Sequence, residues 1–259
     1  MNAGMKARAS DADLGLPLED PSIDATDAAT REVVGLQWQE RATAELRVAS
    51  MFATMAREIF ETGADPVVVR LVARAVSDEV RHATVCRALA RRYLAREVAW
   101  PPPGPVPLPF HEPASEALRP TLHLTAMCCI NETIASAWLE RSLSDATVPL
   151  ARAALRALLA DDIDHARIGW AHLASTAVSP AVRAQIAGWL PRLLEAAVLP
   201  WLRDPGLSSA PGAPAHGVPS AAATRAVVLE TVRDVVLVGL DRVGVDTASG
   251  AAWLAAVAG

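Results

Sequence analysis

Lysine is almost missing from this 259-residue chain: Lys6 is the only one, and arginine supplies the rest of the positive charge. Those arginines are scattered among acids along stretches of helical period, and the formal net charge is −5. That is the pattern of solvated helix faces, and it gives no footprint for nucleic acid. Aromatic residues are scarce at 4%, against 52% hydrophobic residues in all, so Ala, Leu and Val must fill the core, which favours helix packing. Only three cysteines occur, Cys86, Cys128 and Cys129, with no CxxC pair. This excludes a disulfide framework, a zinc ribbon and a rubredoxin module, and points to a reducing compartment. No apolar run reaches the ~18 residues that a membrane span needs. The polar, acidic N-terminus holds no apolar signal core, so a cytoplasmic protein is expected.

The spacing of apolar and breaker residues predicts an all-α chain. Residues 1–28 read as a disordered lead-in. Leu36, Leu46, Met51, Met55, Ile59 and Phe60 recur at helical spacing between Glu32 and Glu61. Gly63 and Pro66 end that helix and start a second, Val67 to Val98. Prolines 101, 102, 103, 105, 107 and 109 make residues 99–117 a stiff extended crossover. A third helix, Glu116 to Leu143, turns at Ser144–Ala146 into a fourth, Val148 to Thr176. A fifth runs from Pro180 to near Trp201 and closes a bundle domain at 29–202. Residues 203–259 are expected to form a linker, a last amphipathic helix (Ala221 to Val243) and a short apolar tail, packed on the bundle. Hairpin, long link, hairpin is a standard four-helix connectivity. Trp189, Leu193, Leu194 and the run Val227 to Leu240 would cover one end of the bundle or form a homodimer face.

The two hairpins repeat one chemical pattern. Glu45 precedes Asp78-Glu79-Val80-Arg81-His82-Ala83, and Glu132 precedes Asp161-Asp162-Ile163-Asp164-His165-Ala166. Thirty-four residues separate Glu45 from Glu79, and thirty separate Glu132 from Asp162. Either interval climbs one helix, turns and descends the next, which brings both pairs level inside the bundle. Residues three apart on a helix lie about 60° apart around its axis and one turn along it. Glu79 and His82 can then share one ion, and Asp162 and His165 another, with Glu45 and Glu132 bridging from the facing helices. Four carboxylates neutralise two divalent cations, as a buried site requires. Hard oxygen ligands with one nitrogen per metal suit two iron ions, with manganese possible, over a zinc thiolate site. A single [DE]xxH is weak evidence and commonly marks a solvated face. Two of them, each after an acid in an apolar helix, are specific.

From about Leu36 to Trp170 the chain resembles the ferritin-like superfamily of carboxylate-bridged di-iron proteins. Asp78-Glu79-Val80-Arg81-His82 matches the D-E-x-R-H form of bacterial multicomponent monooxygenase hydroxylases. The resemblance implies a ferritin-like four-helix bundle with a long crossover between helices 2 and 3 and extra C-terminal helices. It implies the metal ligands Glu45, Glu79, His82, Glu132, Asp162 and His165, with Asp78 and Asp161 as outer acceptors orienting the histidines. Two positions depart from it: Asp162 stands for the usual Glu, and Asp164 for the usual Arg. Where related reductase subunits carry a radical tyrosine this chain has Cys86, and its only tyrosine, Tyr93, lies eleven residues past His82. Ser136 falls where monooxygenases place a threonine hydroxyl, making it a candidate catalytic residue, or else a small residue for close packing. Cys86 and Cys128 are pocket candidates or plain core fillers. His123 and His172 could each line an entrance, but read first as capping or surface histidines.

Three functions remain open from sequence. One is an oxidase or oxygenase that uses dioxygen on a small organic substrate. The others are a ferroxidase or iron-binding protein, and a ferritin-like fold with a vestigial site. No flavin, nicotinamide or iron–sulfur motif occurs, so an oxygenase would need an external electron donor.

Overall fold

Capping side chains set the helix ends. Asp27 accepts from the Thr30 amide at 2.9 Å and opens a 34-residue helix; Asp65, followed by Pro66, accepts from the Val67 amide at 2.7 Å and opens the next. Gly63, at φ +70°, makes the left-handed step between them. The computed structural model describes residues 14–100, 114–203 and 210–259. Its helices are α1 (Pro21–Asp24), α2 (Ala28–Glu61), α3 (Pro66–Leu94), α4 (Arg119–Leu124), α5 (Thr133–Asp145), α6 (Pro149–Ala174), α7 (Pro180–Leu202), α8 (Ala221–Thr231), α9 (Leu237–Arg242) and α10 (Ala248–Ala258). The described residues form no strand, so the chain is all-α as expected.

A π-helical segment, Thr125–Glu132, joins α4 to α5, and a second, Val232–Val236, joins α8 to α9. The expected third helix is therefore α4, a π segment and α5 in one line. The expected last helix likewise contains the second π segment, and the expected apolar tail is a separate helix, α10. The polyproline crossover falls largely outside the described residues, as do residues 1–13 and 204–209. Part of the expected lead-in is packed: Ile23 is fully buried, and Asp20 Oδ2 accepts from the Leu150 amide at 2.9 Å at the start of α6.

Helix α2 lies along α3, α6 lies along the π segment and α5, and α3 meets α6 between the two hairpins. The inward stripe of α2 is Val34, Trp38, Ala42, Ala49, Phe52, Met55 and Ile59. Phe60 does not belong to it and is 75% exposed, because each residue turns 100° from its neighbour and Ile59 already faces inward. The C-terminal elements cover one flank. Leu193 and Leu194 of α7 and Val228, Val232, Val236 and Leu240 bury against Ile130 and Ile134. No helix among the described residues is long and apolar enough to cross a membrane.

Along the two hairpins the core falls into two apolar clusters. One gathers Trp38, Leu89, Tyr93, Leu139, Leu155 and Leu158; the other gathers Phe52, Met55, Val72, Leu124, Met127 and Ile168. On α2, α3, α6 and the π segment, the acids and histidines of the repeat lie between these clusters. The polar layer is thus closed off on both sides by dry core.

Candidate metal centre

Helix α2 supplies Glu45, α3 supplies Glu79 and His82, α6 supplies Asp162 and His165, and Glu132 is the last residue of the π segment. The six meet in two groups that share one member. Glu45, Glu79 and His82 bring ligand atoms within 4.8 Å of one another, and so do Glu79, Glu132, Asp162 and His165. These buried carboxylates and imidazoles could hold a metal ion. Glu79, His82, Glu132, Asp162 and His165 are each at most 4% exposed, and the Glu45 side chain is 13% exposed.

The central carboxylates are not the pair expected from the spacing. Glu79 spans both imidazoles, with Oε2 3.4 Å from His82 Nδ1 and Oε1 3.0 Å from His165 Nδ1. Asp162 Oδ1 lies between the same two nitrogens, at 3.5 and 3.6 Å. Glu79 and Asp162 thus occupy the middle, while Glu45 and Glu132 flank it, one in each group. Helix α2 and the π segment present Glu45 and Glu132 to different groups, which spacing along the chain does not reveal.

Both imidazoles are turned by acids on the opposite hairpin. Asp161 Oδ2 is 3.1 Å from His82 Nε2, and Asp78 Oδ2 is 3.5 Å from His165 Nε2. A neutral imidazole that donates Nε2–H outward presents its Nδ1 lone pair to the centre. Burial makes both rings neutral: it pushes His82 down to about 4 and lowers His165 against the opposing pull of Asp78. Asp164, in place of the resemblance's arginine, joins an outer ring with its own cations. Arg74 reaches Asp78, Asp161 and Asp164 at 3.1, 3.4 and 3.5 Å, Arg81 pairs with Asp161, and Arg167 pairs with Asp164 at 2.8 Å.

The inner atoms are unpartnered. Glu79 Oε2, His82 Nδ1, Asp162 Oδ1 and His165 Nδ1 are buried without a hydrogen-bond partner. Each such atom costs about 1–3 kcal/mol when nothing compensates it. Four orphaned ligand atoms converging on one layer fit a site built for cations. Burial, with the neighbouring carboxylates, raises Glu79 and Asp162 well above the usual range and pushes Glu132 up to about 8. Divalent ions would replace the protons these groups otherwise hold.

Several residues escaped the sequence reading. Arg41, one turn before Glu45, donates Nε–H to Glu45 Oε1 at 2.9 Å. Burial works to raise Glu45, but the charge of Arg41, with hydrogen bonds from Glu79 and Arg41, outweighs it and holds Glu45 below its usual range. Asn131 donates to Glu132 Oε1 at 3.3 Å, and Trp201 Nε1 donates to Asn131 Oδ1 at 2.9 Å. Gly169, one turn after His165, lets α6 touch the π segment: a Cβ there would meet Cys129 Sγ at 2.6 Å and Cys129 N at 2.9 Å. An i+4 arginine was visible in the sequence, but a π turn leaves no local signature.

The remaining sequence candidates divide. Cys86 sits in the field of Glu45, Arg41 and Asp162, and Cys128 in that of Glu132 and Glu79, so both border the layer. All three cysteines are buried and free, and burial raises each thiol well above its usual value. Ser136 Oγ is buried without a partner, one turn past Glu132. Three groups are engaged elsewhere. Tyr93 meets His216 Nδ1 at 2.9 Å, His123 pairs with Glu58 at 2.7 Å, and His172, buried rather than on the surface, meets Thr121 at 3.0 Å. No protein-family model, curated protein or solved structure matches the chain.

Proposed function

We propose that this chain is a ferritin-like carboxylate protein that holds two iron ions, or two manganese ions, and uses them with dioxygen to oxidise a small organic substrate. The observation that carries this reading is the pair of central carboxylates, Glu79 and Asp162, each facing both imidazole Nδ1 atoms across a layer of orphaned ligand atoms. Glu45 and His82 would complete one ion, and Glu132 and His165 the other. Iron bound there supplies electrons and open coordination positions for reducing dioxygen.

The chain's own residues set the conditions. Asp161 and Asp78 lock the imidazoles in the tautomer that offers Nδ1 inward. The apolar clusters on either side keep bulk water from the layer, which strengthens every charge interaction inside it. Ser136 offers a buried, unengaged hydroxyl that can hold or pass a proton near Glu132. Aspartate at position 162 is a methylene shorter than glutamate, yet its Oδ1 stands within 3.6 Å of both histidines, which supports a working centre over a lapsed one.

The test is oxygen uptake by the iron-loaded protein, with a chemical reductant, against a panel of small organic compounds. The expected result is uptake that rises severalfold with some panel members and is matched by oxidised product. Unlimited oxidation of added ferrous ion to ferric mineral, with no organic product, would overturn the oxygenase reading in favour of iron storage.

A further inference from the structure

With two divalent ions bound, the centre would leave one partly buried positive charge without a carboxylate of its own. Its four carboxylates, Glu45, Glu79, Glu132 and Asp162, offset two divalent ions, and both histidines are neutral. The outer ring balances itself, with Asp78, Asp161 and Asp164 against Arg74, Arg81 and Arg167. Arg41 remains. Its side chain is 16% exposed, and its one carboxylate partner among the described residues is Glu45, whose charge the metals claim. An uncompensated ion in such a place is costly, so a bound anion is favoured.

Arg41 is also held ready. Its Cζ lies 4.7 Å from the centre of the Trp138 ring and 5.9 Å from that of Trp38. Both rings are fixed by their own N–H groups: Trp138 donates to Thr224 Oγ1 at 3.1 Å, and Trp38 donates to the His216 carbonyl at 3.3 Å. Among the described residues Arg41 donates Nε–H to Glu45, and its guanidinium also bonds the Cys86 thiol. A guanidinium held by Glu45 and Cys86 and set against two indoles keeps its other donors for a planar, charge-assisted contact, the geometry that carboxylates match.

We infer that Arg41 is the recognition group for an organic carboxylate substrate, which binds beside Arg41 once metal ions have taken Glu45. This rests on the two-metal reading above and names the substrate class of that same site. Metal loading and substrate binding then favour each other, because one frees the cation that the other requires.

The experiment measures benzoate and benzamide binding by calorimetry, on metal-free protein and on protein loaded anaerobically with manganous ion, with metal counted in every sample. We expect benzoate to bind the loaded protein at least about tenfold more tightly than it binds the metal-free protein, and more tightly than benzamide binds by a similar factor. Arg41→Gln should keep two ions per chain and lose the preference for benzoate; Arg41→Lys should restore part of it. Equal binding of benzoate and benzamide, equal binding with and without metal, or unchanged preference in Arg41→Gln would each overturn the inference. The benzoate and benzamide comparison on the unaltered protein stands even if Arg41→Gln does not fold. A chain that takes up no metal takes down both readings, whereas two ions without carboxylate preference take down this one alone.

Discussion

The two hairpins carry the same chemical pattern and treat it differently. On the first, Glu45 sits on an unbroken α-helix, is 13% exposed and is held in its charged form by Arg41. On the second, Glu132 ends a π segment, is 3% exposed, is bonded by the neutral amide of Asn131, and is pushed up to about 8 by burial. One half has a charged, slightly exposed carboxylate; the other has a more deeply buried one that holds a proton when metal is absent. A repeat in sequence therefore yields two unequal sites, and the inequality comes from neighbours that the repeat does not include.

Removing what the halves share should have the largest effect. Glu79→Ala takes a ligand from both groups, and metal content should fall from two ions per chain to below one. The loss should exceed the about 10–100-fold in affinity that loss of an outer partner costs. Glu45→Ala should instead leave the second group intact and retain about one ion, so elemental analysis of the pair of variants separates shared from unshared ligands.

Gly169→Val attacks the second half alone. Its Cβ would strike the Cys129 backbone nitrogen, which cannot rotate away, so α6 must retreat from the π segment. A cost of about 1–3 kcal/mol is expected from such overpacking. Thermal unfolding should show it, together with weakened binding at the Glu132 and His165 end.

Acidity gives a third, intermediate contrast. In the metal-free protein Glu132 is protonated when folded up to about 8 but only to about 4.5 when unfolded. Its contribution to stability is full below 4.5 and is lost as pH rises through 8. His82 works oppositely: its contribution is present above 6.5 and lost as pH falls through about 4. Between pH 6.5 and 8 the carboxylates govern, so the metal-free midpoint should fall across that window while the loaded protein, whose ions replace the protons, stays level.

The smallest effect belongs to Asn131→Ala. Asn131 lowers Glu132 against the pull of burial, so its loss should raise that carboxyl further and weaken manganese binding at pH 7 by a fewfold. The weakening should shrink as pH rises.

Much of the centre was legible because its grammar is local. Glu79 with His82, and Asp162 with His165, share a face through the pitch of one helix, which sequence spacing states directly. The helical hairpins were equally plain from Gly63, Pro66 and Pro180, although the terminal helix α10 passed as a tail because Ala-rich runs carry little periodicity. Which carboxylates lie in the middle was not legible. That depends on how far α2 and the π segment are rotated about their axes, and the π segment packs closely on α6 at Gly169. Arg41 was overlooked for a related reason: an arginine in an amphipathic helix reads as solvated, and only its bond to Glu45 shows that this one faces the centre.

The most direct test of a two-metal centre at these six residues is anaerobic titration with manganous ion, followed by electron paramagnetic resonance with elemental analysis. Two ions per chain with the spectrum of an exchange-coupled pair is the expected result, and it should vanish in Glu79→Ala. Binding of one ion or none, or two ions showing only the signal of isolated manganese, would contradict it.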